Sequence, residues 1–277
     1  MNVTVYDFTG IYENEGFDFY KKEGARSLFC SLKDISGTNC ICDDYAYKEI
    51  REKVKALDAS SSREPVISFF DNGNYHYMSK LLMDVLCEKS GIEGSNSSPE
   101  FDLIFFDHHP DMKWTSYGEV LSCGSWVLNA LKDRKELGQV FIIGADPSLC
   151  AEVMEENPEL FGDDGENASN PRLTSGARVH FLKSVNELPD TVSSMIYLSI
   201  DKDVLDEDEL ATNWDQGNMT ISELEKSLIY LKERFGSGIL SVDVCGESLS
   251  DSADAYSERG IEASNKVNSM IIKIFAE

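Results

Sequence analysis

Three segments, far apart in the chain, each close an apolar run with acids and histidines. They are Asp107-His108-His109-Pro110-Asp111 after FDLIFF, Asp201-Lys202-Asp203 after MIYLSI, and His76 just beyond VISFFD. In an extended strand, residues i, i+2 and i+4 share a face. Strand geometry carried to the strand's end therefore predicts that Asp107, His109 and Asp111 converge, and that Asp201 and Asp203 do the same. With His76 these make six carboxylate or imidazole side chains, enough to hold two divalent metal ions. A single acid at a strand end mostly serves a turn. A D-x-H-x-D run is different, because three crowded ligands repel and cost stability unless a cation sits among them.

Four aspartates and two histidines form a hard, oxygen-rich set. That composition suits Mn²⁺ better than Zn²⁺, which favours Cys and His in smaller number. Two such ions bridged by carboxylates lower the pKa of a water and deliver hydroxide to a trigonal carbon. By the same alternation His108 points away from the ligands, toward packing or a supporting role. His180 has no partner motif and reads as structural.

The elements that must position these residues follow from the spacing of apolar runs. Strands are predicted at 2–8, 66–71, 102–107, 139–144, 179–183, 195–201 and 238–244. Helices are predicted at 43–57, 75–90, 118–136, 148–156, 221–235 and 259–275, the fifth announced by Thr220 as cap with Glu223 three residues on. Strand–helix alternation, with runs apolar on both faces, predicts an α/β protein. The architecture is a three-layer αβα sandwich around a mainly parallel sheet of about eight strands. Ligands of such sheets bind beyond the carboxyl ends of the strands, and all three acid-bearing segments fall there. The stretches 91–100 and 157–176, rich in Gly, Ser, Asn, Pro and acids, read as surface loops, the second as an insertion or a lid. No internal repeat or linker is visible, so residues 1–277 read as one domain.

The motifs resemble those of the arginase/agmatinase (ureohydrolase) family. F-D-H-H-P-D is similar to that family's D-A-H-x-D, S-I-D-K-D-V-L-D to its S-x-D-x-D-x-x-D-P, and G-N-Y-H-Y to its G-G-D-H-S. They occur in the same order, and the similarity spans about residues 65 to 250. The resemblance implies an arginase/deacetylase-like fold and a binuclear manganese hydrolase acting on guanidine, amidine or amide C–N bonds. It implies His76, Asp107, His109, Asp111, Asp201 and Asp203 as ligands of two Mn²⁺, with Asp107 and Asp201 bridging. Two other readings stay open: a one-metal, deacylase-like amidohydrolase on the same fold, and a metal-binding family member without activity.

Departures from the family pattern bear on the substrate. Where the family has histidine in S-H-G-x, this chain has Ser122-Cys123-Gly124-Ser125. The family's guanidinium-facing Glu in D-x-x-E-x-N-P is matched by Glu247 only after a one-residue shift within Asp243-Val244-Cys245-Gly246-Glu247. The turn after D-x-D is reduced to Gly217-Asn218-Met219-Thr220. Asp111, Cys123 and Glu247 are the candidate catalytic residues, and L-arginine is expected to be a poor substrate.

A net charge of −25 over 277 residues argues against nucleic acid or an anionic membrane as partner. A small-molecule substrate, cationic ones included, is the expected partner, and a homo-oligomer is compatible with the sequence. No signal peptide is visible in MNVTVYDFTG, and no apolar run approaches the roughly 20 residues of a membrane span. Seven cysteines at irregular spacing, without a C-x-x-C pair, suit reduced thiols in a cytoplasm.

Overall fold

Runs that are apolar on both faces can be buried only in a sheet covered on two sides, and this dictates the architecture. The computed structural model describes residues 2–13, 16–21, 26–58, 66–90, 100–161, 178–247 and 258–276. Eight strands form one sheet: β1 (Asn2–Asp7), β2 (Arg26–Ser31), β3 (Val66–Phe70), β4 (Phe101–Phe106), β5 (Leu137–Ile143), β6 (Val179–Leu182), β7 (Ile196–Asp201) and β8 (Ile239–Cys245). Their order is β2-β1-β3-β8-β7-β4-β5-β6, and every pairing is parallel. The expected αβα sandwich is therefore what forms.

Alternation along each central strand splits the core into two layers. On β4, Phe101, Leu103 and Phe105 pack with helices α1 (Asp44–Asp58), α2 (Met78–Ser90), α3 (Trp126–Asp133) and α4 (Pro147–Glu156). Ile104 and Phe106 of the same strand pack with α5 (Ile221–Phe235) and α6 (Glu258–Ala276). At its start α5 carries the expected capping box, with Thr220 and Glu223 exchanging hydrogen bonds.

Two elements differ from expectation. Strand β2 has no counterpart among the predicted strands. It is an edge strand whose Phe29 is 39% exposed, so RSLFCS lacks the continuous apolar signal of a buried strand. The helix predicted at 118–136 forms only over Trp126–Asp133. Before it, Gly118 stands at φ +100° and the Ser125 hydroxyl accepts from Ser122 N and donates to Val120 O, a turn that occupies the backbone otherwise needed by a helix. Of the two predicted loops, 91–100 and 157–176, the parts 91–99 and 162–176 lie outside the described residues.

β8 and β7 lie between β3 and β4, so the carboxyl ends of these four strands open side by side. Those ends carry the acid-bearing segments. Among the described residues no helix is long and apolar enough to cross a membrane.

Candidate metal centre

The six residues named from the sequence are brought together, though not by continued strand geometry. β4 ends at Phe106 and the chain turns, with Asp111 in the left-handed region at φ +51°. β7 ends at Asp201, whose carboxylate accepts from Asp203 N at 3.0 Å and caps a 3₁₀ turn over Lys202–Val204. His76 follows the 3₁₀ turn Gly73–Tyr75, capped by Asn72. A turn swings a side chain through a larger angle than the pleat does, so the six side chains converge from three directions rather than from one face.

Two clusters share Asp107. Ligand atoms of His76, Asp107 and Asp111 lie within 4.8 Å of one another, as do those of Asp107, His109 and Asp203. His76 Nδ1 is 3.1 Å from Asp107 Oδ2, 2.8 Å from Asp111 Oδ2 and 3.5 Å from Asp201 Oδ2. His109 Nδ1 is 2.9 Å from Asp203 Oδ2 and 3.6 Å from Asp107 Oδ1. Each oxygen of Asp107 thus faces a different cluster, the disposition of a bridging carboxylate.

Whether these donors fit metal ions is tested by their hydrogen bonding. His76 Nδ1 and Asp107 Oδ2 are buried and have no hydrogen-bond partner of acceptable geometry despite their close approach. Buried polar atoms are rarely left so. A divalent cation among the oxygens and nitrogens satisfies both, and the donor set is the hard one such ions take.

The second nitrogen of His76 explains why Nδ1 is free to bind. Ser199 Oγ donates to Asp243 Oδ1 at 2.5 Å, so its lone pairs accept from His76 Nε2–H at 3.1 Å. Ser79 Oγ and Tyr197 Oη donate to the same Asp243 carboxylate, at 3.0 and 2.5 Å. That network keeps a proton on Nε2 and turns Nδ1 toward the acids, so Nδ1 is the nitrogen that would give up its proton to a cation. Ser199 and Asp243 were not picked out from the sequence. Their signal was the alternation Ser199/Asp201 and Asp243/Cys245, which sets each pair on one sheet face.

Crowding and burial move the charges in the expected directions. Burial raises the carboxyl pKa values of Asp107, Asp111 and Asp201, with neighbouring acids adding to it, and lifts Asp203 to about 7. Burial opposes the charged form of His109, but Asp107 and Asp203 outweigh it and hold the imidazole up to about 11. Burial likewise opposes His76⁺, and Asp107 and Asp111 reverse the balance. A cation among these groups inverts this logic and holds the ligands deprotonated.

A cavity of about 190 Å³ opens over the centre, with Asp107, His109, Asp111, Asp201 and Asp203 in its floor. Its walls include Pro110, Met112, Leu149, Val153 and Trp214. The Trp214 ring meets His109 edge-on at 5.9 Å, and its Nε1 donates to Asn74 Oδ1 at 3.0 Å. Gly73 makes this approach possible: a Cβ there would stand 2.7 Å from Trp214 Cδ1 and 3.1 Å from Asp201 Oδ2.

The remaining named residues fall in different places. Cys123 lines the cavity. The thiol of Cys40 beside it, then burial, push the Cys123 thiol far up, while Cys40 is lowered to about 7. Glu247 is buried and not among the cavity-lining residues. Its Oε1 pairs with Lys202 Nζ at 2.7 Å and accepts from Asn268 at 2.7 Å and Tyr12 at 3.2 Å. His108 stays outside both clusters, although its backbone N–H donates to Asp203 Oδ1 at 3.0 Å. His180 stacks on Phe141 at 4.9 Å, consistent with a structural role.

An eight-stranded parallel sandwich with such a cluster at its central strand ends defines the arginase-type fold class, and the comparisons agree. The structure matches the arginase of Bacillus caldovelox with a TM-score of 0.60 at 11% identity, over 98% of each chain. It matches a Trypanosoma cruzi formiminoglutamase variant with Mn²⁺ with a TM-score of 0.64 at 11% identity, over 99% of this chain and 93% of that one. In sequence, a Thermotoga maritima protein described without an activity is 26% identical over 271 residues, 98% of this chain and 88% of its own. No family model matches. The chain has the fold of the arginase, agmatinase and formimidoylglutamase hydrolases.

Proposed function

We propose that this chain is a metal-dependent hydrolase of non-peptide C–N bonds in linear guanidines, amidines or amides. His76, Asp107, His109, Asp111, Asp201 and Asp203 would hold two divalent ions, Mn²⁺ by the hard character of four aspartates and two histidines and by the motif resemblance. The carrying observation is the pair of clusters sharing Asp107, with His76 Nδ1 and Asp107 Oδ2 buried and unsatisfied. When bound, such ions supply Lewis acidity that activates water at neutral pH.

The chain's own residues then shape what is attacked. Pro110, Met112, Leu149, Val153 and Trp214 exclude water and offer apolar contact to a small molecule. Glu247 lies buried outside the cavity lining, with its Oε1 held by Lys202, Asn268 and Tyr12, so it is not placed to grip a guanidinium there. Cys123, held as a neutral thiol, makes a poor proton carrier. These features support a substrate other than L-arginine, acted on by residues 1–277 as one domain. The seven free thiols support a reducing, cytoplasmic setting.

The test is metal content and turnover measured together. Mn²⁺-loaded protein should carry two ions per chain and hydrolyse at least one of agmatine, guanidinobutyrate, formimidoylglutamate or a small amide. L-Arginine should stay below a kcat/KM of about 10⁴ M⁻¹s⁻¹, the lower end of ordinary enzymes. Failure to bind two ions, or inactivity across the panel, would overturn the reading.

A further inference from the structure

Beside the six ligands stands a seventh group, and it is a thiol. β7 and β8 are in parallel register with Asp201 opposite Cys245 and Ser199 opposite Asp243. Side chains at paired positions of a parallel ladder project from the same face, so Cys245 emerges next to Asp201. Its Sγ donates to Asp201 Oδ2 at 3.1 Å. Ligand atoms of His76, Asp201 and Cys245 all lie within 4.8 Å of one another, and all three residues are buried.

Two further observations point the group at an ion. His76 Nδ1, in a side chain 1% exposed, has no hydrogen-bond partner, and Asp201 Oδ2 sits 3.5 Å from it. The oxygen that Cys245 touches is thus the one facing that nitrogen. Gly246 then keeps the backbone close: at φ +90° it passes so near Asp201 that a Cβ would stand 2.5 Å from Asp201 Oδ1. Any side chain at position 246 would push the end of β8, and Cys245 with it, away from the centre.

We propose that Cys245 is a metal ligand on the His76 side of the centre, so that this position prefers a thiophilic ion such as Zn²⁺ or Co²⁺ over Mn²⁺. The inference rests on the two-metal reading above and deepens it. A sulfur ligand beside imidazole and carboxylate is the set that selects such ions, whereas the His109 and Asp203 side stays all nitrogen and oxygen. As the S–metal bond forms, the Sγ proton now shared with Asp201 leaves to solvent, one proton for one bond. The centre would be asymmetric, with one soft and one hard position.

Chelator-stripped full-length protein is titrated anaerobically with Co²⁺. Two equivalents should bind, seen by the visible ligand-field bands, together with a near-ultraviolet thiolate-to-cobalt charge-transfer band. Cys245→Ser should lose the charge-transfer band and keep the ligand-field bands, and its preference for Zn²⁺ over Mn²⁺ should fall by about tenfold or more. Cys123→Ser, which removes the other thiol at the cavity, should keep the charge-transfer band. Two bound Co²⁺ without that band, or a band that survives in Cys245→Ser, would overturn the thiolate ligand and leave the two-metal reading standing. No bound Co²⁺ would overturn both. Should Cys245→Ser fail to fold, X-ray absorption of the Zn²⁺-loaded wild type decides, with sulfur at about 2.3 Å for the proposal and only N/O at about 2.0–2.1 Å against it.

Discussion

Ser199→Ala isolates how the metal centre depends on the network behind it. The Ser199 hydroxyl touches no proposed substrate position and links His76 Nε2, at 3.1 Å, to Asp243 Oδ1, at 2.5 Å. All three residues are essentially inaccessible, so water cannot replace the lost oxygen. Either Nε2–H is left unpaired, at about 1–3 kcal/mol, or the proton moves to Nδ1 and blocks the nitrogen that faces the acids. Both routes weaken the ion on the His76 side. Loss of such outer partners typically lowers metal affinity 10–100-fold, or about 1.4–2.7 kcal/mol. The assay is titration of stripped protein with Mn²⁺, free Mn²⁺ being read by electron paramagnetic resonance. One of two binding steps should weaken by that factor while the other, on the His109 and Asp203 side, holds. Ser79→Ala is the control, since the Ser79 hydroxyl donates to the same Asp243 oxygen at 3.0 Å and, among the described residues, has one other hydrogen bond, with Ser199 at 3.1 Å. Unchanged affinities in Ser199→Ala, or an equal loss in Ser79→Ala, would refute the argument that Ser199 sets the His76 tautomer.

Asp201→Ala should strip most of the metal, because Asp201 faces His76 and caps the Asp203 turn, whereas His108→Ala should leave the stoichiometry nearly unchanged; equal metal contents by mass spectrometry would contradict this. Lys202→Ala should destabilise the fold by about 3–5 kcal/mol in urea unfolding, since it leaves Glu247 as an uncompensated buried charge. Metal removal should make stability fall as pH rises. Asp203 is held at about 7 against an unfolded value of 3.8, so the metal-free folded state binds the extra proton, and that contribution is present below pH 3.8 and lost as pH passes through about 7. Denaturant midpoints of the chelated protein that rise between pH 5 and 8 would count against it. For the same reason metal affinity should rise with pH over this range.

The order and period of the apolar runs determined the parallel sandwich, because segments buried on both faces admit few other solutions. The strand-end rule then placed His76, Asp107, His109, Asp111, Asp201 and Asp203 at one edge, and they do converge. How they converge was decided by tertiary structure. The pleat was expected to align them, but β4 stops at Phe106 and Asp111 is reached through a left-handed residue, while Asp203 arrives on a 3₁₀ turn. Departures such as Glu247 could be noticed in the chain, yet its commitment to Lys202 could not, since their pairing joins residues 45 positions apart across the C-terminal ends of two strands. Strand β2 escaped notice because an edge strand is only half buried. The roles of Ser199, Asp243 and Cys245 stayed hidden for a related reason, although all three lie in segments quoted from the sequence. Each is an ordinary residue on its own strand, and what makes it matter is the register of β7 against β8, which depends on how two distant segments pack and on nothing local to either.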